Sequence, residues 1–442
     1  MLLTLQLHVE GAWQDAATLE IEDAARGIAS ATTLAYDDRY YFAHGATDHA
    51  RGHAAIDRRA LSVCHPLDLA SVSFGSWPPF LLDLLPQGHA RRRLAEQLGY
   101  DAEDDALALP LLLAGAGSPI GNIRVKEAWE AEQVRLQRHQ VEGVTTEEIF
   151  ERGPRFRELA EVFALVASGS SGVQGEWPKI LLTCATDGLW YPDSVVEDAR
   201  AVEHVIVKMS RARFAEDRVI LAAEAPYLEV ARELGLRVGR PLTHRGDTLM
   251  IPRFDREVVG GQVRRSGQES LVAATGVAAF AYQCTHERYI QTLHRCCTDP
   301  TPEIVEYVLR DVVSRAMGDT DNHGRNTALA KGAHGGVGLA PRFDFAPMIL
   351  DPGMIAPSTT WACVRGKPGG LDYSRICEAI GVATGDPATA AAARAALAGK
   401  AELVARLPVI ARARGVADEV VERAVRFSGE VARGLAALGG SG

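Results

Sequence analysis

The chain has 442 residues, 47% of them hydrophobic and 24% charged, with a formal net charge of −10. This length allows about two or three domains; the apolar runs are too short to cross a bilayer, and the N-terminus lacks the pattern of a signal peptide. We therefore expect a cytoplasmic protein without a membrane partner. Because nonspecific nucleic-acid binding normally needs a basic surface, we also expect no direct DNA binding.

The N-terminal part of the chain is predicted to be mainly β-structure. Residues 1–60 alternate short apolar segments with turn residues, which is typical of a small β-rich unit. Helical patterns follow at Phe80–Leu85 and Ala90–Leu98, and a strand pattern follows at Asn122–Val125. The charged residues 126–150 are predicted to form a linker.

The pattern changes at about residue 160. A Ser- and Gly-rich segment, 168–172, precedes a strand pattern at His204–Met209 and a helix pattern at Ala222–Leu234. Pro226 is expected in the first turn of that helix, where proline is tolerated. After a further strand pattern at Thr248–Asp255, the patterns are mostly helical.

One of these helices leads directly into a polar loop. Thr301 is expected to be its N-cap, Pro302 its first helical residue, and Gly318 the position near which it ends. The loop is residues 319–326, Asp-Thr-Asp-Asn-His-Gly-Arg-Asn, and a return strand at Val337–Phe345 follows it.

The polar loop carries an Asp and an Asn at the spacing found in protein kinases, Asp-x-x-x-x-Asn. Here they are Asp321 and Asn326. In that motif the Asp receives the hydroxyl proton of the acceptor, and the Asn holds magnesium. His323 and Arg325 lie between them and are candidates to stabilise the transferred phosphoryl group. The alternative is an ordinary solvated loop, in which Asp, Asn and Gly are common.

A second metal ligand is expected on the return strand. Asp344 lies in Phe-Asp-Phe-Ala, where kinases have Asp-Phe-Gly. Ala346 replaces the glycine. The conformational switch that hinges on this glycine in kinases is therefore in doubt here, but the carboxylate can still bind magnesium. The alternative is a turn Asp at the end of a strand.

The upstream residues supply cations in the order that a kinase requires. Lys208 lies inside an apolar strand pattern, so it needs an anionic partner unless it faces solvent at a sheet edge. Glu224 or Glu229 on the next helix is a candidate partner. The small residues of 168–172 allow backbone amides to approach phosphates, and Lys179 adds a second cation unless it is an ordinary surface lysine.

A metallohydrolase is a further alternative. It would use the Asp-x-Asp-x-His pattern of Asp319, Asp321 and His323. We rank it lower because it leaves Asn326, Asp344 and Lys208 without a role.

Taken together, these motifs resemble the HipA-type toxin serine/threonine kinases over nearly the full chain. The C-terminal motifs are the specific ones; those before residue 130 only suggest the family, and the loop Ser-Gly-Val-Gln-Gly-Glu-Trp-Pro-Lys departs from its most familiar form. The segments that resemble family motifs are Asp83–Pro86, Ser118–Gly121, Ser171–Gln174 with Lys179, Glu224 ahead of Glu233–Gly235, Arg253–Arg256, Gly318–Asn326 and Phe343–Met348.

The resemblance implies an α+β, two-lobed protein-kinase-like fold. It implies a HipA N-terminal-like accessory region at 1–130, a kinase N-lobe with a Gly-rich loop at 131–252, and a helical C-lobe with the catalytic loop at 253–442. The implied activity is ATP- and Mg²⁺-dependent phosphorylation of a protein Ser or Thr, in some members of an aminoacyl-tRNA synthetase.

Regulation is also implied by the resemblance. A DNA-binding antitoxin commonly binds members of the family, and members phosphorylate a serine of their own Gly-rich loop. Gly169 stands at about that position here, which leaves Ser168, Ser170 and Ser171 as candidates.

The predicted site has three parts. The catalytic residues are Asp321, His323 and Arg325; the nucleotide-binding residues are Ser170, Ser171, Gly172, Lys179, Lys208, Glu224, Arg253 and Phe254; and the metal ligands are Asn326 and Asp344. Arg253 and Phe254 are expected to border the adenine. The alternative function is a catalytically inactive nucleotide-binding or transcription-associated module of the same fold.

Overall fold

The computed structural model describes residues 1–45, 56–138, 141–166, 177–332, 336–365 and 371–439, with side chains throughout except at 162–166. Strands and helices are both abundant, which confirms the predicted α+β class. The strands are β1 Leu2–Val9, β2 Ala12–Ile21, β3 Thr32–Tyr36, β4 Val72–Phe74, β5 Ile123–Val125, β6 Lys179–Ala185, β7 Trp190–Pro192, β8 Ala201–Met209, β9 Thr243–Arg245, β10 Thr248–Pro252, β11 Arg256–Val259, β12 Gln262–Arg265, β13 Gly267–Ser270, β14 Cys284–Thr285, β15 Ala328–Lys331, β16 Val337–Leu339 and β17 Thr359–Thr360.

The α-helices are concentrated in the second half of the chain. They are α1 Asp38–His44, α2 Gly88–Leu98, α3 Ala108–Gly115, α4 Lys126–Leu136, α5 Thr146–Glu151, α6 Pro154–Val166, α7 Ala215–Glu233, α8 Leu271–Ala274, α9 His286–Cys296, α10 Pro300–Met317, α11 Tyr373–Thr384, α12 Pro387–Gly399, α13 Ala401–Ala405, α14 Leu407–Ala413, α15 Asp418–Ala424 and α16 Ser428–Ala436. Short 3-10 helices lie at Ala24–Ala29, Pro79–Leu84, Asp105–Leu107, Asp193–Val195, Asp198–Arg200, Met348–Leu350, Ala362–Val364 and Val425–Phe427.

The chain forms two compact units. Unit 1 consists of Met1–Arg211, Thr248–Phe280 and Ala330–Gly336, and unit 2 consists of Ala212–Asp247, Ala281–Leu329 and Val337–Gly442. The bounds of the three predicted domains remain predictions.

The first sheet of unit 1 confirms the β-rich N-terminal region. Its strand order is β4-β3-β2-β1-β5, and every neighbouring pair is antiparallel. Leu3, Leu5 and Leu7 alternate along β1 and are fully buried, as expected when one face of a strand packs on a core. They share one hydrophobic core with Trp77 and the leucines of α3.

The second sheet of unit 1 carries the predicted phosphate-binding lysines. Strands β7, β6, β8 and β10 are neighbours in that order, and their pairings are antiparallel. Ile180 and Leu182 of β6 pack with Val205 and Val207 of β8 in a second core. This core holds β6 and β8 in register.

The N-terminal motifs have a structural role inside unit 1. The Asp83 carboxylate accepts hydrogen bonds from the backbone N–H and hydroxyl of Ser270, each 2.8 Å long. Gly121 N–H donates to Asp255 at 2.8 Å, and Arg256 donates to the carbonyl of Pro119 at 3.2 Å. These bonds attach the N-terminal region to the segment that follows β10.

Several details differ from the sequence-based expectations. The return strand, β16, ends at Leu339 rather than at Phe345. Helix α10 begins two residues earlier than predicted, with Asp299 as its N-cap and Pro300 as its first residue. Pro226 lies inside α7 rather than in its first turn, because the helix extends back to Ala215. Residues 126–136 are not a linker, because α4 buries Ala128 and Glu132 against its surroundings.

All seven cysteines are free. Within the described residues, no helix has the length and apolar character to cross a membrane. The mostly helical pattern predicted after Asp255 agrees with helices α9 to α16.

Buried Glu132 predicts a pH dependence of stability. Burial raises its pKa to about 7, whereas the unfolded chain has a pKa of about 4.3 at this group. Because the pKa of Glu132 is higher in the folded than in the unfolded protein, its contribution to the free energy of unfolding is complete at low pH. That contribution is lost as the pH rises from about 4 to about 7. We expect Glu132→Gln to increase the free energy of unfolding by about 2–4 kcal/mol at pH 8, and by less at pH 5.

Denaturant unfolding of both proteins at the two pH values measures this difference. Glu130→Gln, at an exposed position of the same helix, is the control and should change stability little at either pH. An equal effect of Glu132→Gln at pH 5 and pH 8 would contradict the assigned ionisation.

Candidate active site

The end of α10 sets the start of the polar loop. Gly318 adopts a left-handed conformation with φ +69°, and a Cβ there would lie 2.8 Å from the carbonyl oxygen of Ala424. The backbone N–H of Asp319 then donates to the carbonyl of Ser314 at 2.9 Å, a typical glycine-terminated helix end. Only glycine fits this position, so the loop leaves the helix in a defined direction.

Asp321 and Asn326 lie together in this loop. The amide nitrogen of Asn326 donates to the Asp321 carbonyl at 2.9 Å and lies 3.4 Å from its carboxylate oxygen Oδ2. The His323 Nε2 atom lies 3.4 Å from Oδ1 of the same carboxylate, and the Asp321 side chain is 29% exposed. The loop therefore presents a carboxylate that is oriented by two neighbours and accessible from outside.

A buried ion pair between Asp319 and Arg342 holds the start of the polar loop in place. The Asp319 carboxylate accepts hydrogen bonds from the Ser314 hydroxyl at 3.0 Å, from Arg342 at 3.1 Å and from the Asp321 backbone N–H at 3.3 Å. Arg342 also donates to the Arg310 carbonyl at 2.9 Å. Burial raises the pKa of Asp319 to about 7, while the Arg342 charge favours its ionised form. Asp319 thus positions Asp321 by holding its backbone.

The sequence analysis did not identify Arg342. Its only sequence signal is its position two residues before Asp344, in the segment predicted as the return strand. Its guanidinium carbon lies 3.6 Å from the ring centre of Phe345, close enough for a cation–π interaction. One side chain therefore links the polar loop to the segment that carries the second predicted metal ligand.

Asp344 has an unusual backbone conformation. Its φ is +51°, a region in which Asp and Asn are the most tolerated residues after glycine. The next residue, Phe345, is fully buried and packs on Tyr227 with ring centres 5.1 Å apart. Ala346, the residue in the glycine position, is also buried. Such strain persists only where the surroundings impose it, and it is frequent at functional sites.

The two predicted metal ligands have the donor atoms that magnesium prefers. Asn326 offers an amide oxygen and Asp344 a carboxylate, and both are hard oxygen ligands. Because the Asn326 nitrogen donates to Asp321, the amide oxygen is the atom suited to a cation. The residues present therefore fit magnesium.

The geometry does not support the metallohydrolase alternative. Across the ranges with described placement, no group of three or more His, Cys, Asp or Glu side chains is arranged to hold a metal ion. Asp319 is buried and bound to Arg342, so it is not available beside Asp321 and His323 as a third ligand.

Unit 1 contains a cluster of cations around one aromatic ring. Lys208 is buried, and its Nζ atom lies 5.2 Å from the ring centre of Trp177; the Arg211 guanidinium lies 4.5 Å from the same centre. Lys179 is directly opposite Lys208 in the β6–β8 register. Like charges in such a pair are unfavourable. Both lysines were predicted from the sequence, whereas Trp177 and Arg211 were not.

The two candidate glutamates on α7 differ in their surroundings. Glu224 is 1% exposed, whereas Glu229 forms a surface ion pair with Arg232 at 3.2 Å. The buried residue is the better candidate for a functional charge. The predicted pairing of Glu224 with Lys208 stays a prediction, because the two residues belong to different units.

The predicted adenine-bordering segment lies directly after β10. The Arg253 guanidinium is buried and binds Asp255 at 2.9 Å and Asp193 at 3.3 Å. Its side chain therefore stabilises unit 1, and any role of Arg253 at an adenine would use its backbone. The predicted loop residues Ser170, Ser171 and Gly172 lie outside the described residues.

Comparisons with known proteins concern the family and the fold. The family model of the HipA-like C-terminal domain matches residues 171–407, and that of the HipA N-terminal domain matches residues 30–126. A search of curated protein sequences found no significant match.

Two solved structures are similar to the chain to different degrees. One is HipA of Shewanella oneidensis MR-1, in a complex with HipB and operator DNA: TM-score 0.63, 17% identity, 99% of this chain and 96% of that chain covered. The other is the Helicobacter pylori proinflammatory kinase CtkA, with a TM-score of 0.32 and 11% identity over 53% of this chain and 92% of that chain. The first likeness shows a HipA-like fold. Since the C-terminal family model alone covers more than half of the sequence, the chain belongs to the HipA family.

Proposed function

We propose that this protein is an ATP- and magnesium-dependent serine/threonine protein kinase. The observation that carries the proposal is the geometry of the polar loop. Asp321 is held by Asn326 at one end and, through its backbone, by Asp319 at the other. A catalytic base must be held in a fixed position while remaining accessible to the acceptor, and Asp321 meets both requirements.

In the proposed reaction, Asp321 orients the acceptor hydroxyl and takes its proton as the phosphoryl group is transferred. His323, 3.4 Å from Asp321, and Arg325 are proposed to stabilise negative charge on the group in transfer. This assignment uses each polar side chain between Asp321 and Asn326 except Asn322, which has a different partner described below.

ATP is proposed to bind through the cations of unit 1. Lys208 and Lys179 would contact the phosphates together with the backbone of 170–172, and the backbone of Arg253 and Phe254 would border the adenine. Asn326 and Asp344 would hold magnesium, which neutralises charge on the phosphates when it is bound.

A substitution at Lys179 tests the phosphate assignment. We expect Lys179→Met to raise the KM for ATP about fivefold, because one of two facing cations is lost at a partly exposed site. Steady-state kinetics at saturating acceptor measure the change. Lys126→Met, which removes a lysine paired with Asp15 at 2.8 Å, should leave the KM unchanged; equal KM values for all three proteins would contradict the assignment.

The partner and the substrate are proposed from the family. The Shewanella oneidensis HipA structure contains HipB and operator DNA, and we propose a DNA-binding antitoxin of that kind as the partner of this chain. DNA contact would come from the partner, and the location would be cytoplasmic. The substrate would be a protein Ser or Thr, with an aminoacyl-tRNA synthetase and a loop serine of the chain itself as the first candidates.

Two measurements on the purified protein test the kinase proposal. Calorimetry determines whether ATP binds in the presence of magnesium, and phosphopeptide mass spectrometry with ADP detection determines whether phosphate is transferred. Binding without transfer to any acceptor would favour the inactive nucleotide-binding module, which the buried Ala346 in the glycine position motivates. Absence of nucleotide binding would reject both functions.

A further inference from the structure

Unit 2 contains a cavity of about 450 Å³ next to the polar loop. Its walls include Thr320 and Asn322, the two sequence neighbours of Asp321. They also include Trp361 and Arg365, which lie after Asp344, and Val431 of α16. The volume falls within the usual range for ligand sites, about 300–1,000 Å³. The cavity thus begins one residue from the proposed base and has no role in nucleotide binding as proposed above.

A hydrogen-bonded cluster makes one wall of the cavity rigid. The Asp311 carboxylate of α10 accepts from the Asn322 amide at 3.0 Å and from the Trp361 indole N–H at 2.9 Å. His286 Nε2 lies 3.3 Å from the same carboxylate, and its ring stacks on Trp361 with centres 4.6 Å apart. Asp311 therefore couples the polar loop to the segment around Trp361 through direct contacts.

The charged side chains at the cavity differ in how accessible they are to a ligand. Asp311 and Asp319 direct their oxygens to the contacts already described. Arg315 and Arg365 line the cavity with exposed side chains. Among the described residues neither guanidinium forms an ion pair; Arg365 donates one hydrogen bond to the Thr360 hydroxyl at 3.0 Å.

One exposed carboxylate, that of Glu430, also lines the cavity. His286 adds no positive charge, because burial lowers its pKa and favours the neutral imidazole. Of the exposed charged side chains at the cavity, two are guanidiniums and one is a carboxylate. The Asp311 carboxylate is only 12% exposed and is occupied by the contacts described above. The apolar side chains of Ile349, Val364 and Val431 also line the cavity.

We propose that this cavity binds the segment of the protein substrate that flanks the acceptor hydroxyl, and that Arg315 and Arg365 select an acidic residue in that segment. The inference rests on the proposed kinase function and names the substrate class of its site. An acidic side chain would complement the two guanidiniums, while a neighbouring apolar side chain would fill the space between Ile349 and Val431.

Peptide binding tests the inference without requiring turnover. Fluorescently labelled Ser-containing peptides with acidic, neutral or basic flanking residues are titrated against the full chain. The proteins are wild type, Asp321→Asn and the double variant Arg315→Glu/Arg365→Glu. The matched control is Arg423→Glu, which reverses an exposed arginine on α15 that lies outside the cavity.

We expect wild type, Asp321→Asn and the control to bind acidic peptides about tenfold more tightly than basic ones, with the difference shrinking at high salt. The double variant should lose or reverse the preference while keeping its affinity for magnesium-ATP and its unfolding midpoint. Equal binding of the three peptide classes to wild type, or a preference unchanged in the double variant, would overturn the inference.

The same experiment separates this inference from the kinase proposal. Phosphotransfer by the wild type without an acidic preference leaves the kinase function in place and rejects the cavity assignment. An Arg315- and Arg365-dependent acidic preference without any phosphotransfer supports the cavity as a peptide site and rejects the kinase function.

Discussion

Asp321→Asn is expected to lower the rate of protein phosphorylation by about 10²–10⁴-fold, the usual contribution of a positioned general base. Asparagine has nearly the shape of aspartate, so it can keep the hydrogen bond from Asn326, which reaches the backbone carbonyl at position 321. It cannot accept the hydroxyl proton. The loss should therefore appear in kcat, with little change in the affinity for magnesium-ATP.

Phosphate incorporation into the acceptor, followed over time at saturating ATP, measures this loss. Asp418→Asn is the control, because its carboxylate is 77% exposed in a surface pair with Arg412 and should leave the rate unchanged. Wild-type kcat in Asp321→Asn would remove Asp321 from the mechanism. A parallel loss of ATP binding would indicate a structural effect of the substitution instead.

Asp344→Asn is expected to reduce phosphotransfer by about 10²-fold or more, through loss of the charge that helps to hold magnesium beside the phosphates. The choice of asparagine follows from the backbone. At φ +51° alanine would add strain, whereas asparagine tolerates this conformation nearly as well as aspartate. The variant should keep its fold and its affinity for metal-free ATP.

Titration of ATP binding against magnesium concentration isolates the metal contribution. In Asp344→Asn the dependence of ATP binding on magnesium concentration should weaken. Manganese should restore part of the activity, because it binds oxygen and nitrogen ligands more strongly than magnesium does. Asp418→Asn again serves as the control. An unchanged magnesium dependence would show that Asp344 is not a ligand.

The contrast between Asp321 and Asp319 shows how far sequence reasoning reached. Both lie in the same short motif, and spacing alone admitted either as a reactive group. The structure distinguishes them, since Asp319 is buried against Arg342 whereas Asp321 is partly exposed beside His323. Arg342 is 23 residues away from Asp319 along the chain, so no local pattern could reveal the pair.

Arg253 shows a similar separation between motif and role. The motif Arg-Phe-Asp-Arg was recognised, but a sequence does not state where a guanidinium points. In the structure it binds Asp193, 60 residues earlier in the chain, which leaves the backbone for the predicted role. The linker prediction was wrong for residues 126–136, because this charged segment forms helix α4 and buries Ala128 and Glu132.

The sequence by itself determined the α+β class, the family and the order of the motifs, because these depend on local periodicity and on residue types at short spacings. The glycine that ends α10 and the Asp and Asn of the polar loop are of this kind. Only the tertiary structure decided which carboxylate is accessible, that Trp177 and Arg211 lie beside Lys208, and that Asn322 and Trp361 share Asp311 next to a cavity. Those features arise from contacts between residues distant in sequence, whose energies depend on burial and distance rather than on local pattern.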